Sequence, residues 1–317
     1  MSEELLPRDI AEGISNCGEA LEKIVSELNA KQQAKTAPAL LHHYTDGAGL
    51  LGILQSGRIR MTSIFHLNDP SELRHGIEMA CAALERQAVG RHPAVQKFSQ
   101  QFAEVMRNQL DQLACVFITS FSEHGDDLGQ WRSYGADGRG FALGFNGPGL
   151  EKYFSEQGET GTTISIEYSD AEALSVMERM VATVLPVISL PVGQKLEDGA
   201  IRDFLTRLSS TFSLALLRVA LLFKHSGYVN EREYRFLKYS SLHKPPKDLQ
   251  YRARGATIVP FAEFHWRANG PQLFRKIIVG PASSLAAAKQ FAESCLELTG
   301  LADQRIEIVH STIPYRS

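Results

Sequence analysis

Short strand-like runs and longer helical stretches follow one another along this 317-residue chain without regular alternation. Repeated βαβ units need strand and helix in strict succession, each crossover returning to a parallel neighbour. Here the succession is irregular. No GxGxxG follows a strand, and no GxxxxGK followed by Ser or Thr occurs. A dinucleotide-binding Rossmann domain and a P-loop nucleotide hydrolase are both disfavoured. The order fits an α+β protein with central mixed or antiparallel sheets flanked by helices.

Residues 8–34 read as an amphipathic helix, since Ile10, Ile14, Leu21, Ile24, Val25 and Leu28 fall near helical spacing. The segment KQQAKTAP then loosens into a linker that ends at Pro38. The expected division is 1–36 as an extra N-terminal helix with its linker, and 37–317 as a single α+β module of catalytic type. The module opens with a buried strand at 39–44. Asp46 is placed to cap a helix over 48–55, which Gly57 ends, and 58–62 alternates as a half-buried strand does. Asn68-Asp69-Pro70-Ser71-Glu72 is a strong helix start, with Asp69 as N-cap, Pro70 at N1 and Glu72 at N3. That helix should reach residue 89, and Pro93 should open another to residue 113. Strands are expected at 114–120, 139–145, 162–168, 231–239, 256–259, 276–279 and 305–310. Helices are expected at 171–185, 198–223 and 284–298.

A net charge of −3 and a pI near 6.4 give no global attraction to nucleic acid or to an anionic membrane, which leaves room only for a local basic cleft. Cys17, Cys81, Cys115 and Cys295 are far apart and form no CxxC pair, so they read as small buried hydrophobes in a reducing compartment. The segment MSEELLPRDI has neither the basic nor the apolar region of a secretion signal. The most apolar stretch, 212–223, is broken by Ser213 and Arg218 and is too short to span a bilayer. A cytoplasmic location is the expectation.

Four clusters put polar and aromatic residues where packing does not ask for them. The first is His42-His43-Tyr44-Thr45, whose neighbours on a strand point to opposite faces. The second is Asn68 with the helix cap that follows it. The third is Gln130-Trp131-Arg132-Ser133-Tyr134-Gly135, where an aromatic pair with an interleaved arginine suits a flat ring and an anion, or else a loop anchored by a buried tryptophan. The fourth is Asn230-Glu231-Arg232-Glu233-Tyr234-Arg235-Phe236. On a strand, Glu231, Glu233 and Arg235 share one face, as an edge ion-pair ladder or as a site, while Tyr234 and Phe236 enter the core. Lys224 and His225 lie just upstream. No recognised metal-ligand spacing joins His43, Asp69, Glu231 and Glu233, so no metal is expected.

In this order the clusters resemble a bacterial family catalogued only as a domain of unknown function (number twenty-nine seventy-one). The residues that carry the resemblance are His43-Tyr44-Thr45, Gly52-Ile53-Leu54 with Ser56-Gly57, and Asn68-Asp69-Pro70 with Glu72. They continue with Gln130-Trp131-Arg132, Tyr134-Gly135, Gly140, Gly144-Phe145, Glu231, Glu233-Tyr234-Arg235 and Gly280-Pro281. The resemblance covers 40–285 and leaves 1–36 outside.

The opening His-aromatic-Thr strand, with GIL and then Ser-Gly after it, is also similar to ADP-ribosyltransferases that modify nucleic acids or proteins. That second resemblance implies an ADP-ribosyltransferase-like sheet arrangement and NAD⁺ as substrate. His43, with Tyr44 and Thr45, would contact the adenosine ribose; Glu233 would be the catalytic carboxylate, assisted by Glu231. Trp131 or Tyr134 would stack on nicotinamide, or Thr119-Ser120 with Ser122 would fill the middle strand position. Arg60 or Arg132 would hold the pyrophosphate. The implied partners are NAD⁺ and a nucleic-acid or protein acceptor, with a toxin or phage-defence role. The N-terminal helix would offer a surface for an oligomer or partner, and no membrane is involved. The alternatives are a metal-dependent hydrolase or nuclease, and a non-catalytic nucleotide-sensing module.

Overall fold

A computed structural model describes residues 6–67, 71–108, 115–157, 161–192, 194–240, 246–267 and 273–315. The chain starts with α1 (Arg8–Gln33), followed by β1 (Leu40–Thr45), α2 (Gly47–Ser56) and β2 (Arg58–Ser63). The Asp46 carboxylate accepts the Gly49 N–H at 2.7 Å, and Gly57 closes α2 at φ 65°, a left-handed position natural to glycine. Next come α3 (Ser71–Ala88), α4 (Pro93–Asn108), β3 (Cys115–Ser122), α5 (Leu128–Ser133) and β4 (Phe141–Asn146). The proposed cap at Asn68-Asp69-Pro70 lies outside the described residues. Then follow α6 (Gly147–Glu156), β5 (Gly161–Ser165), α7 (Asp170–Ile188), α8 (Asp198–Ala220) and β6 (Glu233–Ser240). The chain closes with β7 (Gln250–Arg254), β8 (Thr257–His265), β9 (Phe274–Val279), α9 (Leu285–Leu298) and β10 (Glu307–His310).

The chain divides into two units. One unit gathers 1–34, 68–115 and 167–226; the other gathers 35–67, 116–166 and 227–317. The first is helical. Its α1 turns Ile10, Ile14, Cys17, Leu21, Ile24, Val25 and Leu28 inward against α7 and α8. Ion pairs edge the seam: Arg218 with Glu22 at 2.6 Å, Arg179 with Glu27 at 2.7 Å, and Lys31 with Glu172. Gly76 of α3 lets that helix meet Ala220 of α8, where any Cβ would come within 2.9 Å of the backbone.

The second unit holds the sheet, with β3 entering it from Val116 onward. Its ten strands run in the order β10-β9-β4-β1-β3-β2-β8-β7, and β6 pairs with β3 and carries β5 on its other side. The sheet is mixed, since β9 and β10 are parallel while β1–β4 and β2–β8 are antiparallel. The α+β class with a mixed open sheet, flanking helices and an N-terminal helix thus stands. At β3 the sheet branches. Strand β1 registers with it only at His42↔Ser122, and β2 only at Thr62↔Ile118 and Ser63↔Phe117. Among the described residues no helix is long and apolar enough to cross a membrane. Cys17, Cys81 and Cys295 are buried, and burial pushes the Cys17 and Cys81 thiols up to about 11.

Candidate active site around Glu233

Strand β6 begins one residue after a backbone kink. Residues Ser226–Glu231 form a 3-10 turn, and Arg232 then takes φ 43°, a left-handed conformation that is strained for a residue with a Cβ. Two contacts from the β3 end hold it there. The Glu123 N–H donates to the Arg232 carbonyl at 2.9 Å, and the Ser122 hydroxyl donates to the Glu231 carbonyl at 2.7 Å. The expected single face of Glu231, Glu233 and Arg235 is therefore corrected. Glu231 sits half-buried in the turn, off the strand, and only Glu233 and Arg235 share a face.

Those two form a buried pair. The Arg235 Nε donates to Glu233 Oε1 at 2.6 Å and Nη2 donates to Oε2 at 2.9 Å, with the side chains 1% and 6% exposed. This fork-on-carboxylate geometry is charge-assisted and fixes the plane of the carboxylate. The Ser120 hydroxyl adds a third donor to Oε1 at 2.5 Å. Strand β6 lies between β3 and β5, so the pair is no edge ladder. The other face of β6 does enter the core. Phe236 is fully buried against Phe121, Phe154 and Phe264, and the Tyr234 hydroxyl donates to Glu151 at 2.6 Å.

Ser120 is exposed although Glu233 beside it is buried, so the carboxylate lies just beneath an accessible hydroxyl. The same residue meets His43. Its carbonyl only accepts, so the 3.1 Å contact to His43 Nδ1 places the ring proton on Nδ1. Burial lowers the imidazole pKa against the opposing pull of that hydrogen bond, and the ring is neutral. Its Nε2 is left as an acceptor suited to a hydroxyl donor. The ring also lies 5.5 Å from Phe121. Successive β3 side chains alternate, so His43 approaches β3 on its Phe121 side and Glu233 on its Ser120 side. They converge on one residue from two faces. Thr45 follows His43 at the half-buried end of β1, opposite Phe141.

The third cluster behaves differently. The segment expected as a loop is α5, six residues long, capped by Asp127 through the Gln130 N–H at 2.9 Å. Trp131 is 0% exposed, packs edge-on to Tyr44 at 4.8 Å and lies with Ala142 and Ile278 in the core. Its Nε1 donates to Asp126 at 2.8 Å, and Asp126 also takes the Ser311 hydroxyl at 2.5 Å and the Thr312 N–H at 2.7 Å. A ring so enclosed has no face to offer nicotinamide, which corrects that assignment for Trp131. Tyr44 is likewise committed. Its hydroxyl donates to the His124 carbonyl at 2.8 Å and accepts the Asp127 N–H at 3.1 Å, and burial pushes its pKa up. Tyr134, at the end of α5, is 40% exposed and keeps a surface for a ligand. Arg132 is exposed, 5.8 Å over the Tyr315 ring.

Of the two arginines considered for a pyrophosphate, Arg60 lies nearer Ser120 by register. Thr62 pairs with Ile118, and two residues on along antiparallel strands Arg60 and Ser120 follow on the same face. Among the described residues no three His, Cys, Asp or Glu side chains are grouped to hold a metal ion. The sequence reading passed over Asp126, although two successive aspartates ahead of a short tryptophan-bearing helix signal one cap and one further acceptor.

Residues 130–236 match the model of a family described as "Protein of unknown function (DUF2971)". The match runs from Gln130 and Trp131 through Glu233, Arg235 and Phe236, and so ties the anchor helix and the buried pair to that family. No curated protein and no solved structure matches the chain.

Proposed function

We propose that the Glu233 site cleaves the bond between nicotinamide and ribose in NAD⁺ and passes the ADP-ribosyl group to a macromolecule, or to water. The observation that carries this reading is a carboxylate fixed by Arg235 and Ser120 directly below an exposed position. As the C–N bond breaks, its electron pair leaves with neutral nicotinamide, and positive charge grows on the ribose ring. A carboxylate bonded to the ribose 2′-hydroxyl strengthens its hold as that charge appears, by roughly 3–4 kcal/mol on the scale of a single oriented donor. The acceptor nucleophile then bonds to the anomeric carbon and gives up its proton. Pre-orientation by Arg235 spares the carboxylate from reorganising during the step.

The other roles follow from position. His43 lies on the Phe121 side of β3, across the strand from Glu233, so the adenosine-ribose contact that the resemblance implies for it is not part of the proposed site. Arg60 suits the pyrophosphate, and Tyr134 remains the accessible aromatic for nicotinamide. Glu231 ends the 3-10 turn ahead of the strand, and the proposal keeps it as the assisting group with Glu233 as the catalytic carboxylate. A cytoplasmic toxin or phage-defence effector is the setting that suits NAD⁺ consumption. Incubating purified protein with NAD⁺, alone and with RNA, DNA and cell protein, should release nicotinamide. No release under any of these conditions would overturn the reading.

A further inference from the structure

We propose that the Ser120 hydroxyl is itself an acceptor, so that the protein attaches ADP-ribose to its own Ser120. The inference rests on the reading of Glu233 as the carboxylate that cleaves NAD⁺, and it names a modification site beside it.

Ser120 stands apart on its strand. In β3, residues 116–119, Phe121 and Ser122 are buried and Cys115 is half-buried, whereas Ser120 is exposed. Strand side chains alternate, so Ile118 and Ser122 share its face, and both are covered where Ser120 is not. The face is open at this point, and the Glu233 carboxylate lies buried against the opening.

Two contacts fix the residue. Its carbonyl accepts from His43 Nδ1 at 3.1 Å, which holds the backbone, and its hydroxyl donates to Glu233 Oε1 at 2.5 Å. A hydroxyl has one proton and two lone pairs. With the proton on Glu233, the lone pairs of Oγ turn away from the carboxylate, toward the exposed side. This is the arrangement of a nucleophile whose proton already lies on its acceptor, and Arg235 in turn orients that acceptor.

The same contacts select the electrophile. A carboxylate paired with a guanidinium is a weak base, too weak to raise the serine alkoxide that attack on an ester or a phosphodiester needs. An oxocarbenium-like ribose needs no alkoxide, because a neutral hydroxyl adds to it and sheds its proton afterwards. The ribose that Glu233 holds by its 2′-hydroxyl presents the anomeric carbon next to the carbon bearing that hydroxyl. In the step, the bond from the anomeric carbon to the nicotinamide nitrogen breaks, and its electron pair leaves with nicotinamide. A lone pair of Ser120 Oγ forms the new bond to that carbon. The hydroxyl proton passes to Glu233 Oε1 and from there to water. The products are nicotinamide, one proton and ADP-ribose joined to Ser120 through oxygen. Groups held in place reach effective molarities of about 10⁵ M or more, far above the concentration of liquid water, so Ser120 captures the ribose ahead of hydrolysis.

The test uses the full chain with NAD⁺ and no added acceptor. The intact mass should rise by a single ADP-ribosyl group, and peptide mapping by electron-transfer fragmentation should place that group on Ser120. Neutral hydroxylamine should leave the adduct in place, since a glycosidic link to serine resists it and an ester on a carboxylate does not. Ser120→Thr keeps a hydroxyl and should carry the adduct at the same position. Ser120→Ala should carry none, and its nicotinamide release should slow as well, because Glu233 loses a donor. Nicotinamide release by the parent without an adduct would overturn the inference and leave the reading of Glu233 standing. So would an adduct on another residue, or one that hydroxylamine removes. No release at all would overturn both. The peptide map of the parent decides even where a variant fails to fold.

Discussion

Replacing Arg235 with Met would remove the guanidinium that grips both oxygens of Glu233, at 2.6 and 2.9 Å, in a place where the two side chains are 1% and 6% exposed. Methionine fills similar volume, so the change is one of charge more than of packing. It leaves a carboxylate out of water without its cation. Breaking a buried pair in this way costs about 3–5 kcal/mol, whereas an exposed pair would cost about 0–1. Glu233→Gln should cost less than Arg235→Met, because Gln keeps an acceptor for Ser120 and Arg235. The double variant removes both charges and should be more stable than the sum of the singles predicts, by 2 kcal/mol or so. Urea unfolding of the four proteins gives these numbers, provided the slope with denaturant stays the same. An Arg235→Met protein within about 1 kcal/mol of the parent would refute the reasoning, for the pair would then be solvated and the carboxylate not pre-oriented.

His43→Ala, on the far face of β3 from Glu233, should leave NAD⁺ affinity unchanged and lower stability by about 1–3 kcal/mol through the lost bond to the Ser120 carbonyl and the lost packing on Phe121; titration calorimetry beside urea unfolding checks the split. Trp131→Phe loses the Nε1 bond to Asp126 and leaves that carboxylate short of a donor, so stability should drop by about 1–3 kcal/mol while NAD⁺ affinity holds. His42 is buried and its pKa is pushed down to about 4, first by burial. A base whose folded pKa lies below its unfolded value near 6.5 stabilises the fold fully above that pH and loses the contribution as pH falls toward 4. The loss is on the order of 3 kcal/mol, and His42→Leu should flatten the melting curve's pH dependence across that window.

Much of the fold was readable because its signals are local. Asp46 and Gly57 frame α2 as a cap and a left-handed stop must, and the two-residue period put Tyr234 and Phe236 in the core. The same period paired Glu233 with Arg235 correctly and Glu231 wrongly. The left-handed Arg232 that turns Glu231 away is held by Ser122 and Glu123, more than a hundred residues earlier, and nothing near Arg232 announces it. Helix α5 was hidden by its length, since six residues show no helical period. Helix α6 was missed despite a fair cue, Asn146 as cap with Pro148 in the first turn. Strand β7, QYRAR, was missed although Tyr251 and Ala253 alternate with Gln250, Arg252 and Arg254, because five residues without a β-branched side chain give a weak strand signal. The helical unit is assembled from three separated segments, which no boundary signal along the chain could reveal.

The central claim concerns a single carboxylate, and nicotinamide release by the Glu233→Gln protein tests it most directly. Gln keeps the shape and one acceptor but removes the charge facing the developing cation, so the rate should collapse while NAD⁺ affinity changes little. Measured on protein whose circular dichroism matches the parent, a fall of about a hundredfold or more is the predicted result. Release at the parent's rate would contradict the account and leave Glu233 as half of a buried ion pair and nothing more.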